Sequence, residues 1–185
     1  NVNDDGVYDQ TELLLPLQGE GEHGPHAIIL SADGENLILI AGNHCPTTLE
    51  TTFSSLPAPG GWIALLPPDA SKIEIIASGL RNAYDVVFNS QGDLFTCDSD
   101  AEKDAGLPWY RPPRFLHAVN GADFGWREGP EKWPKHYADS LPPIAELGPS
   151  SPAGLVSGHL THFPKPYRNA IFVLDWTFGT IHSIH

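Results

Sequence analysis

Short apolar runs bounded by turn residues recur along the chain in three sets of four. The first set is ELLLPL (12–17), AIILS (27–31), NLILIAG (36–42) and GWIALLP (61–67). The second is KIEIIASG (72–79), YDVVFN (84–89), LFTCDS (94–99) and RFLHAV (114–119). The third is PPIAELG (142–148), AGLVSG (153–158), AIFVLDW (170–176) and TIHSIH (180–185). Runs this short, set off by Gly, Pro, Asn and Asp, predict strands. Two stretches, AIILSADGENLILIAGN and DVVFNSQGDLFTCDSD, share one frame: apolar run, Gly turn, apolar run. A Gly after Asp or Gln suits a tight hairpin because it accepts positive φ.

The turn glycines of that frame, Gly34 and Gly92, lie 58 positions apart. Self-similarity at such a spacing, with four strands per unit, predicts an all-β chain built as a β-propeller. A β-sandwich is the rival, but it does not require the repeated frame. The expected blades are approximately 12–67, 72–119 and 142–185, within a single domain over 1–185. A generic blade takes roughly 40–50 residues, so these carry extra loop. The excess falls at 43–60, 100–113 and 120–141, where binding residues are expected on a rigid scaffold. Three blades do not close a ring, so the expectation is half of a six-bladed propeller, completed by remaining blades or a second copy.

Composition narrows the partners. Hydrophobic residues make up 41% and charged residues 18%, which places the chain among globular proteins. Gly and Pro number 18 each, which argues against long helices. The net charge of -13 argues against duplex nucleic acid and anionic membrane surfaces. No apolar run approaches the length of a membrane span. No secretory signal is visible and no Met occurs, so a processed or excised piece is expected. Cys45 and Cys97 form neither a CxxC nor a haem-attachment motif, and two cysteines leave a mutual disulfide open.

Candidate chemistry lies at the loops that enter strands. GEGEHGPHAIIL carries His23 and His26 three apart, with Glu22 beside the first. A His near neutral pKa is a natural general base for a hydroxyl proton. The competing readings are loop histidines that merely cap, or a zinc pair lacking its other ligands. Arg81 and Asn82 occupy the matching loop of the second set. Arg forks onto carboxylates and Asn adds a donor and an acceptor, although a local acid such as Asp85 can claim the Arg instead. Asp98, Asp100, Glu102 and Asp104 then alternate after a strand. Four such carboxylates repel unless solvated or neutralised, and hard oxygen ligands favour Ca²⁺. The following GLPWYRPPR sets Trp109, Tyr110, Arg111 and Arg114 on a Pro-stiffened segment, as a wall for a planar anionic ligand or as counter-ions for the acids. A second calcium candidate is NVNDDGVYDQTE, which matches the loop template at Asn3, Asp5, Gly6 and Glu12.

With GEHGPHAIILSADG, SGLRNAYDVVFNSQGDLF, GLPWYRPPR, ADFGWREG and FPKPYRNAIFVLDWTFGTI, nearly the whole chain resembles the soluble quinoprotein glucose/sorbosone dehydrogenase family of six-bladed propellers. Within it, the chain is most similar to the "membrane-bound dehydrogenase domain" proteins of planctomycete-type bacteria. The resemblance implies that His23, ten positions before the turn Asp33, is the catalytic base. It implies that Arg81 and Asn82 contact pyrroloquinoline quinone (PQQ), and that Asp100 and Ala101 fall where backbone carbonyls hold Ca²⁺. It also implies export or a periplasmic location and a cytochrome-type electron acceptor. Two departures stand out: Ala83 replaces the Pro usual after Arg-Asn, and the acidic run replaces a short Gly-Pro turn.

The function expected is therefore a PQQ- and Ca-dependent sugar or alcohol dehydrogenase. His23 serves as base and Arg81, Asn82, Arg111 and Arg114 bind the cofactor. Asp98, Asp100, Glu102 and Asp104 hold the metal. The alternatives are a non-catalytic propeller that binds a glycan or protein, and a calcium-dependent lactonase-type hydrolase.

Overall fold

The computed structural model describes Gly6 and residues 11–185. Most of the Asn3 to Glu12 calcium candidate lies outside the described residues. The strands of the first part are β1 (Pro25–Leu30), β2 (Leu37–Ala41), β3 (Thr48–Glu50), β4 (Ser55–Pro57), β5 (Gly61–Leu66) and β6 (Glu74–Leu80). Then follow β7 (Val86–Phe88), β8 (Leu94–Asp98), β9 (Arg114–Ala118), β10 (Ala122–Asp123) and β11 (Ala145–Glu146). The last three are β12 (Pro152–Ser157), β13 (Ile171–Asp175) and β14 (Thr180–Ile184). Only short 3₁₀ turns accompany them among the described residues, so the chain is all-β.

Three antiparallel sheets follow one another along the chain. The first runs β1-β2-β5-β6, the second β7-β8-β9-β11 and the third β12-β13-β14. Residues 43–60 add a small surface hairpin of β3 and β4. Both turn glycines of the shared frame have positive φ, 74° at Gly34 and 90° at Gly92. The hairpins they close, β1–β2 and β7–β8, form as the pattern predicts, with a register shift between Pro25 and Ala27 in the first.

The grouping of strands differs from the expected blades by one strand. Residues 12–17 form no strand, and 74–80 pairs with 61–66 rather than opening the second sheet. Likewise 145–146 closes the second sheet instead of opening the third. Apolar runs alone do not say which gap is a hairpin within a sheet and which is a crossing between sheets. Here the gap from Leu66 to Glu74 is the hairpin, and the gap from Leu80 to Val86 is the crossing. Residues 12–17 find no ladder on the outer edge of the first sheet, because β6 and then β10 occupy it.

The second sheet lies between the other two. Ile38, Ile40, Ile63 and Leu80 of the first sheet pack with Val86, Leu94, Leu116 and Ala118 of the second. Val87, Cys97 and Phe115 pack with Ile171 and Val173 of the third. Cys45 and Cys97 are buried free thiols in different clusters, so the disulfide does not form. Asp85 also ties two sheets together, its carboxylate accepting the N–H groups of Val86 and Leu155 at 2.8 Å each.

A strap from 120 to 141 returns from the second sheet to the first. Its β10 pairs in parallel with β6, and Phe124 N–H and Trp126 N–H donate to Ser78 O and Gly79 O at 3.0 and 2.9 Å. Gly79 has φ 70°, and a Cβ there would meet Asp123 Oδ1 at 2.0 Å. Glycine at this position is thus required twice, by conformation and by space.

Candidate functional site

Each sheet begins with a crossing segment, and three such segments border one cleft. His23 closes the 3₁₀ turn Gly21–His23 just before β1, and Arg81 and Asn82 precede β7. Ser151 precedes β12. These residues, with Glu22, Tyr84, Ser99, Glu102 and Trp176, line a cleft of about 420 Å³. The residues at the entry to successive first strands therefore share one mouth.

His23 is 6% exposed. Its Nδ1–H donates to Asn43 Oδ1 at 2.7 Å, and its ring stacks on His44 with centroids 4.5 Å apart. A donated Nδ1–H leaves Nε2 as the lone-pair nitrogen. Glu22 Oε1 lies 3.8 Å from Nε2, beyond hydrogen-bond reach. Burial holds the His23 imidazole below its ordinary value, and the nearby Arg81 and His44 push the same way against the Asn43 hydrogen bond. The imidazole is thereby kept neutral, as a proton acceptor must be.

Asn43 is the joint of the site, because its backbone N–H donates to Arg81 O at 2.7 Å while its side chain holds His23. Gly42 just before it makes the approach possible. A Cβ there would lie 2.6 Å from His23 O and 2.7 Å from Asn82 Oδ1. Asn82 Oδ1 in turn accepts from His26 Nε2 at 2.6 Å, and His26 stacks on Tyr84. His26 is thus a support for Asn82. Among the described residues no three His, Cys, Asp or Glu side chains gather as a metal cluster.

Arg81 does not pair with Asp85. Its backbone N–H and that of Asn82 both donate to Asp98, at 3.0 to 3.1 Å. Its guanidinium Nη1 donates to Asp100 O at 3.0 Å, and Nη2 reaches Glu102 Oε2 at 3.5 Å. Glu102 is 73% exposed, so that last contact is loose and open to displacement by an anionic ligand.

The acidic run is distributed among cations rather than gathered into a cage. Asp98 is fully buried and receives Arg114 Nη2 at 3.1 Å, while Arg114 Nη1 donates to Phe124 O at 3.0 Å. Full burial pushes the Asp98 carboxyl up, and Arg114 with the two backbone N–H groups pulls against that push. Asp100 and Asp104 share the ammonium of Lys132, a residue from the strap. Lys132 holds the Asp104 carboxyl below its ordinary value. The four side chains therefore do not fit a calcium ion, and the Asp100 carbonyl already accepts from Arg81. Arg111 and Arg114, expected to bind cofactor, do not line the cleft of His23. Arg114 is spent on Asp98, and Arg111 lines a separate groove with Trp109, Tyr110 and Trp133.

Two solved structures resemble the chain closely in fold. One is an aldose sugar dehydrogenase from Streptomyces coelicolor in its PQQ-bound form, with a TM-score of 0.62 and 17% identity. This is a quinoprotein glucose dehydrogenase-like fold. The other is a Thermus thermophilus protein described as a putative oxidoreductase (glucose dehydrogenase), with a TM-score of 0.65 and 18% identity. The matches cover 87% and 91% of this chain, and 44% and 50% of those chains, so the chain spans about half their length. No protein-family model and no curated protein matches the sequence.

The cleft places a cation, an amide and an aromatic ring side by side. Arg81 is anchored through Nη1 but holds Glu102 only loosely through Nη2, Asn82 adds an amide, and Trp176 an aromatic face that is 74% exposed. No described helix is long and apolar enough to cross a membrane.

Proposed function

We propose that this chain is the three-sheet half of a PQQ-type sugar or alcohol dehydrogenase propeller, with His23 as the general base. The supporting observation is the meeting of a buried neutral His23 with Arg81 and Asn82 at one cleft. Arg81 and Asn82 hold the quinone edge, and Trp176 offers it a stacking surface. PQQ, when bound, supplies a two-electron acceptor. His23 Nε2 takes the proton of the substrate hydroxyl, and Asn43 keeps Nδ1 as the protonated nitrogen so that Nε2 faces the task. Glu22, near Nε2, favours the imidazolium once the proton has moved.

Further sheets of the same kind complete the ring in this reading, against the outward faces that leave Ile28, Leu30, Leu174 and Ile181 exposed. An exported or periplasmic location and a cytochrome-type acceptor belong to the same reading. The lactonase alternative needs carboxylates free for a metal, and here Asp98, Asp100 and Asp104 are engaged by Arg114 and Lys132.

The test is a PQQ titration followed by tryptophan quenching, then dye-coupled oxidation of a panel of aldoses and alcohols. The expected outcome is saturable quinone binding in both the parent and His23→Gln. Substrate oxidation by His23→Gln should fall by about 100-fold or more. Absence of quinone binding, or an unchanged rate in the variant, rejects the reading.

A further inference from the structure

The acidic loop after β8 has the composition of a calcium site and the wiring of something else. Lys132 Nζ lies 2.6 Å from Asp100 Oδ1, 2.7 Å from Asp100 Oδ2 and 2.7 Å from Asp104 Oδ2. The ammonium donates hydrogen bonds to Asp100 Oδ2 and Asp104 Oδ2, and Asp100 Oδ1 is a close ion-pair neighbour. The remaining capacity of Asp100 is also taken. Its Oδ1 accepts from Ala101 N–H at 2.8 Å and its Oδ2 from Arg111 N–H at 2.9 Å. Three hydrogen bonds and the close ion-pair contact at Oδ1 thus engage both oxygens of the carboxylate. The Lys132 side chain is 2% exposed, so this charge is sealed from water. Uncompensated buried charge is costly; here the one ammonium offsets one of the two carboxylate charges, and the Ala101 and Arg111 N–H groups help to hold the rest.

We infer that the Lys132 ammonium is the resident cation of the acidic loop, standing where a divalent metal would otherwise be required, so that the loop keeps its shape without calcium. The lysine arrives from the strap, whose β10 is fastened to the first sheet. One charge therefore joins the strap, the loop and, through the Asp100 carbonyl, the Arg81 guanidinium of the cleft. The inference concerns folding and metal demand, and it stands or falls independently of the dehydrogenase reading.

Thermal melts of the whole chain test it, in EDTA and in a calcium series, for wild type and Lys132→Met. Methionine keeps the apolar stem and removes the charge. The expected midpoint of Lys132→Met in EDTA lies about 10 °C below wild type, the usual scale for breaking a buried pair in a chain of this size. Calcium is expected to raise the variant's midpoint more than the wild type's, because the vacated site now offers free carboxylates. Calcium bound by the Asn3 to Glu12 segment acts on both chains and cancels in that difference. Equal calcium responses, or an unchanged midpoint in Lys132→Met, overturn the inference. Should Lys132→Met fail to fold in EDTA, the triple variant Asp100→Asn/Asp104→Asn/Lys132→Met removes charge from both sides. It is expected to fold, and its failure would equally overturn the proposal.

Discussion

His23 has little surface and one committed nitrogen, which makes its behaviour with pH readable. Burial depresses its folded pKa below the ordinary 6.5. A base works when neutral, so the activity proposed above is expected to rise with pH through a midpoint below 6.5 and to be flat at neutral pH. Folding stability follows the same sign. The unfolded chain binds the proton more readily, so the stabilisation is complete above 6.5 and is lost as pH falls toward the folded pKa. Urea midpoints of wild type and His23→Gln, compared at pH values on either side of 6.5, check this. The variant is expected to lose the His23 part of the acid-side decline, and an identical pH dependence in both chains contradicts it.

At the scale of elements, the strap and the crossing segments decide what the sheets can do. The strap closes the outer edge of the first sheet, which otherwise presents unpaired backbone groups. Asp123 is central to it, accepting Gly125 N–H at 2.7 Å and pairing with Arg127 at 2.8 Å, while Arg127 lies over the Trp133 ring. Asp123, Phe124 and Gly125 crowd onto Gly79. Replacing Gly79 by Ala places a Cβ against the Asp123 carboxylate and forces a left-handed backbone on an L residue. A loss of about 2–4 kcal/mol is expected in urea unfolding. Protection of the Phe124 and Trp126 amides in hydrogen exchange should fall first, since those amides bond to β6. A loss under about 0.5 kcal/mol, the range of a neutral surface change, shows that the strap is not held there.

For the whole molecule, stability comes from stacking the second sheet between the other two. Leu116 is 0% exposed at the first of these contacts, whereas Leu174, on the outward side of the third sheet, is 45% exposed. Leu116→Ala is expected to cost about 2–5 kcal/mol, through lost burial and the cavity left behind. In this chain by itself, Leu174→Ala should cost well under half of that, because its apolar surface meets solvent when no further sheet covers it. Chemical denaturation of the two variants makes the comparison. Equal losses indicate that the outward face is covered in solution, as ring completion by further sheets requires.

Much of this architecture is legible in the chain itself. Alternating short apolar runs and glycine turns after Asp33 and Gln91 are local signals, because a strand pleat and a positive φ are properties of a few consecutive residues. The loop positions of His23, Arg81 and Asn82 follow from the same local punctuation. What stayed hidden was everything set by distant partners. Which strand opens each sheet depended on whether a gap turns back or crosses, and apolar content is the same in both cases. Asn43 and Gly42 carry no chemical signature of their own; they matter because Arg81 and His23 come to rest against them. The four acids read as a cation site because their repulsion is visible in one dimension, while Lys132, 28 residues beyond Asp104, is not. A run of four acids announces along the chain that the loop after β8 needs positive charge, but Coulombic neutralisation acts through space, and Lys132 and Arg114 become its donors because folding brings the strap and β9 against the loop.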